Sequence, residues 1–378
     1  MALLRILYID TGMGLAGGQI SLAELLKSLA GHRFQPFVCS PKGSALEKKC
    51  GELAVAWLPL PTRSVHLSTR QAGAVAGVVR DLFDSLYGVG LLAAHIRANR
   101  IDIVHANTFK SALVGGMACL LLRRPMIFHD RTHIAHGVLG RLVASMASRI
   151  IVVSQAVGAK HKGRAGRKAR LVYDGIDTDR FVPAGEEPSE KAVCFLGRIS
   201  EEKGLLSLVE CAGLILASVP AARFLVAGEP FTPADAKYLE SVKARIHTLR
   251  LDHAFEFLGH VDDVRPVLNR STVLALPSKN EPLGLVVLEA MALRRPVIAF
   301  DIGGPREIIT SEVDGILVPP GNLAGFAQAV VRMLTDKELA RHIGEMGRQT
   351  VTSRFSSTLM AGHIEEVYRG ICPGAGEG

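Results

Sequence analysis

The chain has 378 residues, long enough for two domains with separate cores. Apolar residues make up 48% and charged residues 21%, which excludes a disordered polymer and fits compact folding. A formal charge of +8 favours anionic partners: sugar nucleotides, acidic lipid head groups or nucleic acid. One Trp, five Tyr and no RRM, KH or zinc-finger pattern argue against nucleic acid. Six scattered cysteines without a C-x-x-C pair read as buried thiols in a reducing cytosol, not as a disulfide framework.

In chain order, short β-branched runs alternate with longer helical runs, the pattern of parallel α/β sheets. The apolar start is too short for a signal segment and reads as a first strand at Arg5–Ile9. A glycine-rich turn, Gly12 to Gln19, precedes a helix expected over Ser21–Ala30. Strands follow at Gln35–Ser40 and Val55–Leu58. The apolar run Ala72–Ile96 is interrupted by Arg80, Asp81 and Asp84, which argues against a bilayer span. Strands at Ile101–His105, Pro125–His129, Ile150–Val153 and Ala169–Val172 complete the first half.

The segment Pro183 to Glu190 has the proline, glycine and charge of a linker. This places a first domain over residues 1–182 and a second over 183–355. Strands in the second half are expected at Ala192–Leu196, Arg223–Ala227, Phe255–Leu258, Val273–Leu276, Pro296–Phe300 and Gly315–Val318. A last helix spans residues 356–370, and the glycine-rich tail after Cys372 is expected to fray.

Ligands of open α/β sheets bind outside the carboxyl ends of the strands, so residues just after strands are the candidates. After Val273–Leu276 comes a loop carrying Glu281, then a helix opening near Gly284 and carrying Glu289. Free N–H groups and the helix dipole there favour an anionic ligand. Arg198 follows the strand Ala192–Leu196 and Lys203 heads the next helix; a guanidinium fork and an ammonium suit a diphosphate. Taken alone, each pair also reads as solvated surface charge. His105 and His129 end strands, with His133 and His136 nearby, and a buried core histidine is the alternative for each. The glycine turn lacks G-x-G-x-x-G spacing, so a nicotinamide site is poorly supported. Asp262-Asp263 reads as a helix start, not a metal pair.

In order, these segments resemble glycosyltransferase family 4, retaining enzymes of the GT-B fold. The resemblance rests on Gly17-Gly18-Gln19, Asp102-Ile-Val-His-Ala106, Phe128-His-Asp130 and Asp174-Gly-Ile-Asp177. It continues through Gly197-Arg-Ile-Ser-Glu-Glu-Lys-Gly204, the E-x7-E of Glu281 and Glu289, and Gly303-Gly-Pro-Arg-Glu-Ile308. It implies two Rossmann-like doubly wound α/β domains facing a central cleft, with the last helix returning to the first domain. It also implies that Arg198 and Lys203 hold the donor diphosphate, that Glu281 meets the donor sugar and Glu289 the ribose. Leu283 and Gly284 would contact the donor through their backbone, Gly18 would approach it, and His129 would lie near the reacting sugar. No divalent metal and no cofactor is implied. Leu283 stands where Phe is usual, and Asp174 where Asn is usual.

The expected activity is retaining transfer of a hexosyl group from a UDP- or GDP-sugar to a carbohydrate or lipid-linked acceptor. A sugar-nucleotide epimerase on the same scaffold and a non-catalytic nucleotide-sugar-binding protein are the alternatives. Residues 158–170 carry six Lys/Arg, His161 and no acid. With the helical run Arg70 to Arg100, they suggest a cytoplasmic protein that touches an anionic membrane surface; a solvated loop beside a core helix is the alternative.

Overall fold

The computed structural model describes residues 3–29, 33–60, 75–183 and 190–372, and within 75–85 the backbone alone. The linker core 184–189, residues 70–74 of the basic helical run and the tail beyond 372 lie outside the described residues. Its contacts divide the chain into two compact units, Met1–Asp174 with Ser357–Gly378, and Gly175–Ser356.

The first unit opens with β1 (Leu4–Ile9), α1 (Gly17–Ser28), β2 (Phe34–Pro41), α2 (Ala45–Glu52), β3 (Ala56–Leu60) and α3 (Val75–Ala98). It continues with β4 (Ile103–Ala106), α4 (Phe109–Leu122), β5 (Met126–Asp130), α5 (Gly137–Met146) and β6 (Arg149–Val152). Two short helices, α6 (Gln155–Gly158) and α7 (Gly163–Lys168), lead to β7 (Ala169–Leu171). The seven strands pair in parallel in the order β3-β2-β1-β4-β5-β6-β7. Ile9 lies beside both Cys39 and Ala106, so β1 is flanked on both sides and every residue from Ile6 to Ile9 is fully buried. Such strands must be apolar throughout, which is why the sequence reads as an unbroken run.

The second unit begins with β8 (Ala192–Leu196), α8 (Leu205–Ser218), β9 (Arg223–Ala227), α9 (Pro233–Thr248) and β10 (Phe255–Gly259). It closes with α10 (Arg265–Arg270), β11 (Val273–Leu276), α11 (Leu285–Ala292), β12 (Val297–Phe300), α12 (Pro305–Ile308), β13 (Ile316–Val318), α13 (Leu323–Thr335) and α14 (Lys337–Arg354). The sheet order is β10-β9-β8-β11-β12-β13. Helix starts follow local chemistry. Thr232 accepts a bond from the Asp235 N–H at 3.1 Å while Pro233 supplies the first helical φ of α9.

The last helix, α15 (Ser357–Arg369), packs on α1 and seats Ile364 and Tyr368 in the core of the first unit. Residues 175–182 bond to second-unit elements: the Ile176 N–H donates to the Phe355 carbonyl at 3.0 Å, and Arg348 donates to the Phe181 carbonyl at 2.8 Å. The division therefore falls at Asp174/Gly175 and not at residue 182. One other element departs from expectation. Helix α1 begins at Gly17, not Ser21, because Gln19 Oε1 turns back to accept the Ala16 N–H at 3.1 Å and closes the first turn. No helix among the described residues is long and apolar enough to cross a membrane. All six cysteines are free thiols, five of them buried.

Candidate active site

Both sheets reverse direction of growth once, between β1 and β4 and between β8 and β11, and such switch points open a crevice at the strand carboxyl ends. The candidate residues sort to these two places, each within its own unit.

In the second unit Arg198 leaves β8, and Lys203 ends a 3-10 turn, Glu201–Lys203, that leads into α8. From β11 the chain enters the loop bearing Ser278 and Glu281. The Lys203 ammonium lies 2.6 Å from Glu281 Oε2, and the Ser278 hydroxyl donates to the same oxygen at 3.2 Å. Glu281 is 5% exposed and Glu289 7%, so neither is the solvated surface acid that a lone Glu usually is. Arg198 differs: its side chain is 37% exposed and pairs with Glu202 at 3.2 Å. A guanidinium held by an exposed i,i+4 partner remains available to a stronger anion.

Backbone proximity fixes this site. Gly204 sits at φ 74°, and a Cβ there would come within 1.9 Å of the Pro277 carbonyl oxygen. A Cβ on Gly304 would lie 2.2 Å from Leu283 Cα, and the Gly304 N–H donates to the Glu281 carbonyl at 2.9 Å. Two glycines thus hold the Glu281 loop from both sides. Leu283 is 3% exposed, and its backbone lies against Gly304. Gly284 caps α11 at φ 97° with no side-chain cap, leaving the helix start without a competing acceptor.

In the first unit the strand ends meet in a polar network. Asp10 Oδ1 accepts from the Gly12 N–H at 2.7 Å and from Gln19 Nε2 at 2.9 Å. Asn107 Nδ2 donates to Asp10 Oδ2 at 2.6 Å and to the Gly18 carbonyl at 3.1 Å, which ties the first turn of α1 to β4. Gly18 therefore stands in a helical turn, with Arg131 Cδ 3.2 Å from where its Cβ would be. Arg131 donates through Nε to Asn107 Oδ1 at 3.1 Å and pairs through Nη1 with Asp174.

His129 and His105 join this network. Arg131 Nη2 lies 3.2 Å from His129 Nδ1, and a guanidinium only donates, so Nδ1 is the acceptor and the proton of His129 sits on Nε2. His105 Nε2 then donates to the same Nδ1 at 3.1 Å, and His105 Nδ1 lies 2.7 Å from the Tyr368 hydroxyl, which in turn donates to the Tyr8 hydroxyl at 3.0 Å. Burial first, and the charge of Arg131 second, hold His129 well below the usual imidazole range and push His105 down to about 3. His129 is 1% exposed, and its Nε2 has no hydrogen-bond partner among the described residues. A neutral N–H donor is thus presented without an internal acceptor.

Of the residues read from the sequence, Lys203, Glu281, Leu283 and Gly284 converge in one unit, and Gly18 and His129 in the other. His133 and His136 do not join the His105–His129 pair; His136 stacks on Phe109 with ring centroids 3.6 Å apart. Asp263 pairs with Arg265 at 2.6 Å beside the start of α10. Among the described residues no group of three or more His, Cys, Asp or Glu is arranged to hold a metal. Sequence reading missed Asn107, Arg131 and Ser278, although Arg131 directly follows the Phe-His-Asp motif.

The family model described as Glycosyltransferase Family 4 matches residues 15–180, and that described as Glycosyl transferases group 1 matches residues 177–350. Alpha-maltose-1-phosphate synthase of Mycobacterium tuberculosis is 27% identical over 316 residues, 73% of this chain and 80% of that protein. Alpha-D-kanosaminyltransferase of Streptomyces kanamyceticus is 28% identical over 219 residues, 55% of each. The crystal structure of Anabaena HepE with UDP-glucose matches 97% of this chain and 100% of its own with a TM-score of 0.82 at 20% identity. Sucrose-phosphate synthase from Thermosynechococcus elongatus matches 98% of this chain and 100% of its own with a TM-score of 0.79 at 21% identity. With consecutive family models reaching from residue 15 to residue 350, and with this doubly wound architecture, the chain belongs to glycosyltransferase family 4 and is a glycosyltransferase of the GT-B fold.

Proposed function

We propose that the protein transfers a hexosyl group from a UDP- or GDP-sugar to a carbohydrate or lipid-linked acceptor with retention of the anomeric configuration. The observation that carries this reading is the grouping of Arg198, Lys203, Glu281 and the uncapped α11 start at the β8/β11 switch point. HepE, a chain of the same fold, is seen in complex with UDP-glucose, which supports a nucleotide-sugar donor here.

In this mechanism the bond between the sugar C1 and the diphosphate oxygen breaks and charge grows on the leaving nucleoside diphosphate. Arg198, Lys203 and the N–H groups at the start of α11 stabilise that charge, a preorganised electrostatic effect that needs no metal. The acceptor oxygen attacks C1 from the same face, and its proton passes to a phosphate oxygen of the leaving group. Glu281 accepts from sugar hydroxyls and Glu289 from the ribose. Leu283 and Gly284 contribute backbone groups, Gly18 approaches the donor, and His129 Nε2–H donates to a hydroxyl of the transferred sugar. None of the relatives described above is an epimerase, which favours transfer over that alternative.

A thermal-shift screen of UDP- and GDP-sugars tests the donor class, because a ligand that binds only the native state raises its stability. The expected result is a shift with one nucleotide base and a smaller shift with the other. No shift with any nucleotide sugar overturns the assignment.

A further inference from the structure

Part of the basic stretch singled out in the sequence is turned inward, while Lys162, Arg164 and Arg167 are exposed. The Lys160 ammonium binds Asp130 at 2.9 Å and the carbonyl of Ile134 at 3.1 Å, and His161 binds Asp130 at 2.7 Å. Lys168 donates to the carbonyls of Ala144, Ser145 and Ala147 at 3.0, 2.9 and 2.6 Å and so caps the end of α5. The described half of α3 turns Val89, Leu92 and Ile96 into the core. These groups hold the fold together.

A different surface of the first unit has the character of a docking site. At the carboxyl ends of α3 and α4, near the amino ends of β4 and β5, a cavity of about 390 Å³ is lined by Arg97, Arg100, Arg123 and Arg124. Arg124 is 3.9 Å from Asp102, and the other three make no ion pair among the described residues. Four guanidinium groups repel one another unless an anion joins them. Beside them, on the last turn of α4, Leu120 is 62% and Leu121 69% exposed, and Met117 one turn earlier is 39% exposed. Helix α5 lies alongside, its Met146 side chain within 2.7 Å of where a Cβ on Gly116 would be, and exposes Val138 and Leu142.

Of the twelve Lys/Arg between Ile103 and Tyr173, Arg131, Lys160 and Lys168 are bonded inward, whereas Arg123, Arg124 and Arg141 are exposed at the end of α4 and on α5; the one acid of that stretch, Asp130, is buried. A nucleotide or free phosphate would satisfy the arginines but not the leucines next to them. A layer that offers phosphate and hydrocarbon at once satisfies both, and that is the surface of an anionic bilayer.

We infer that the protein docks on an anionic phospholipid surface through the outer face of α4 and α5, with a lipid phosphate in the arginine cavity and Leu120 and Leu121 among the acyl chains. This does not rest on the donor assignment above, and the two fail separately: vesicle binding is read without donor, and nucleotide binding without vesicles.

The test is sedimentation of the full chain with phosphatidylglycerol or phosphatidylcholine vesicles at low and high salt. Binding to the first alone, released by salt, is expected. Arg→Gln substitution at 97, 100 and 123 together is expected to weaken it by about 100-fold, on the usual contribution of a cation near an anionic surface. Leu120→Ser with Leu121→Ser is expected to abolish sedimentation while leaving the circular dichroism spectrum and thermal midpoint of the free protein unchanged, which shows that the variant is folded. No binding to phosphatidylglycerol vesicles overturns the inference. So does equal binding by either variant, or binding to heparin without binding to vesicles.

Discussion

Lys203 and Glu281 arise from the ends of two different strands, yet the Lys203 ammonium and a Glu281 carboxylate oxygen are 2.6 Å apart. The cation assigned to the diphosphate is already held at its post by the acid assigned to the sugar. The pairing also makes Glu281 tolerable in a buried position, since Lys203 and Ser278 share its Oε2.

Replacing Lys203 with Ala is therefore expected to do two things. It leaves a buried carboxylate with Ser278 alone at that oxygen, for a stability loss of about 1–3 kcal/mol. It also weakens binding of any nucleoside diphosphate, whichever sugar is attached. Urea unfolding and nucleotide titration of the variant check both effects, and unchanged nucleotide affinity would remove the diphosphate role.

The two glutamates separate by ligand. Glu289→Ala is expected to weaken free nucleotide, and Glu281→Ala to lower turnover and sugar selectivity while changing nucleotide affinity much less. Calorimetric titration with the nucleoside diphosphate alone decides it. Equal affinity in wild type and the Glu289 variant would contradict the ribose assignment.

Much of this was legible locally. Arg198, Lys203, Glu281 and Glu289 lie in two short segments, each directly after a strand with a clear β-branched pattern, so periodicity alone brought them to strand ends. The first-unit network was not legible. Arg131 reaches Asp174, 43 residues on, and His105 meets Tyr368, 263 residues on, in the helix that returns to the first sheet. No local pattern encodes such pairings. The start of α1 was misread for a smaller reason: glycines at 17 and 18 read as loop, whereas the Gln19 side chain closes a helical turn around them.

Asp174, where the family usually has Asn, is explained by that network. Its Oδ1 accepts from both Arg131 and Ser21, the latter at 2.6 Å, in a site where the pair is about a tenth exposed. Asp174→Ala is expected to cost about 3–5 kcal/mol, because it leaves Arg131 buried without its partner. Asp174→Asn keeps an acceptor oxygen for both donors and is expected to cost less. Equal losses in denaturant unfolding would show that the hydrogen bonds contribute nothing beyond the charge.

The buried histidines set a pH dependence. His105 titrates near pH 6.5 when unfolded but only at about 3 when folded, so between these values the unfolded chain binds the extra proton. Stability from this group is complete above pH 6.5 and falls as the pH drops, by about 1.4 kcal/mol per pH unit. His129 is shifted in the same direction by burial and Arg131. A His105→Gln variant is expected to lose stability less steeply than wild type between roughly pH 6 and 5. Parallel curves for the two proteins would mean that His105 is not held neutral.

The central claim is retaining, metal-free transfer, and the anomeric configuration of the product tests it most directly. The protein is incubated with its α-linked UDP- or GDP-sugar and a panel of carbohydrate acceptors in excess chelator, and the anomeric proton coupling of the product is read by NMR. The account predicts an α-linked product and undiminished turnover. A β-linked product, or activity that returns only when Mg²⁺ or Mn²⁺ is added, would contradict it.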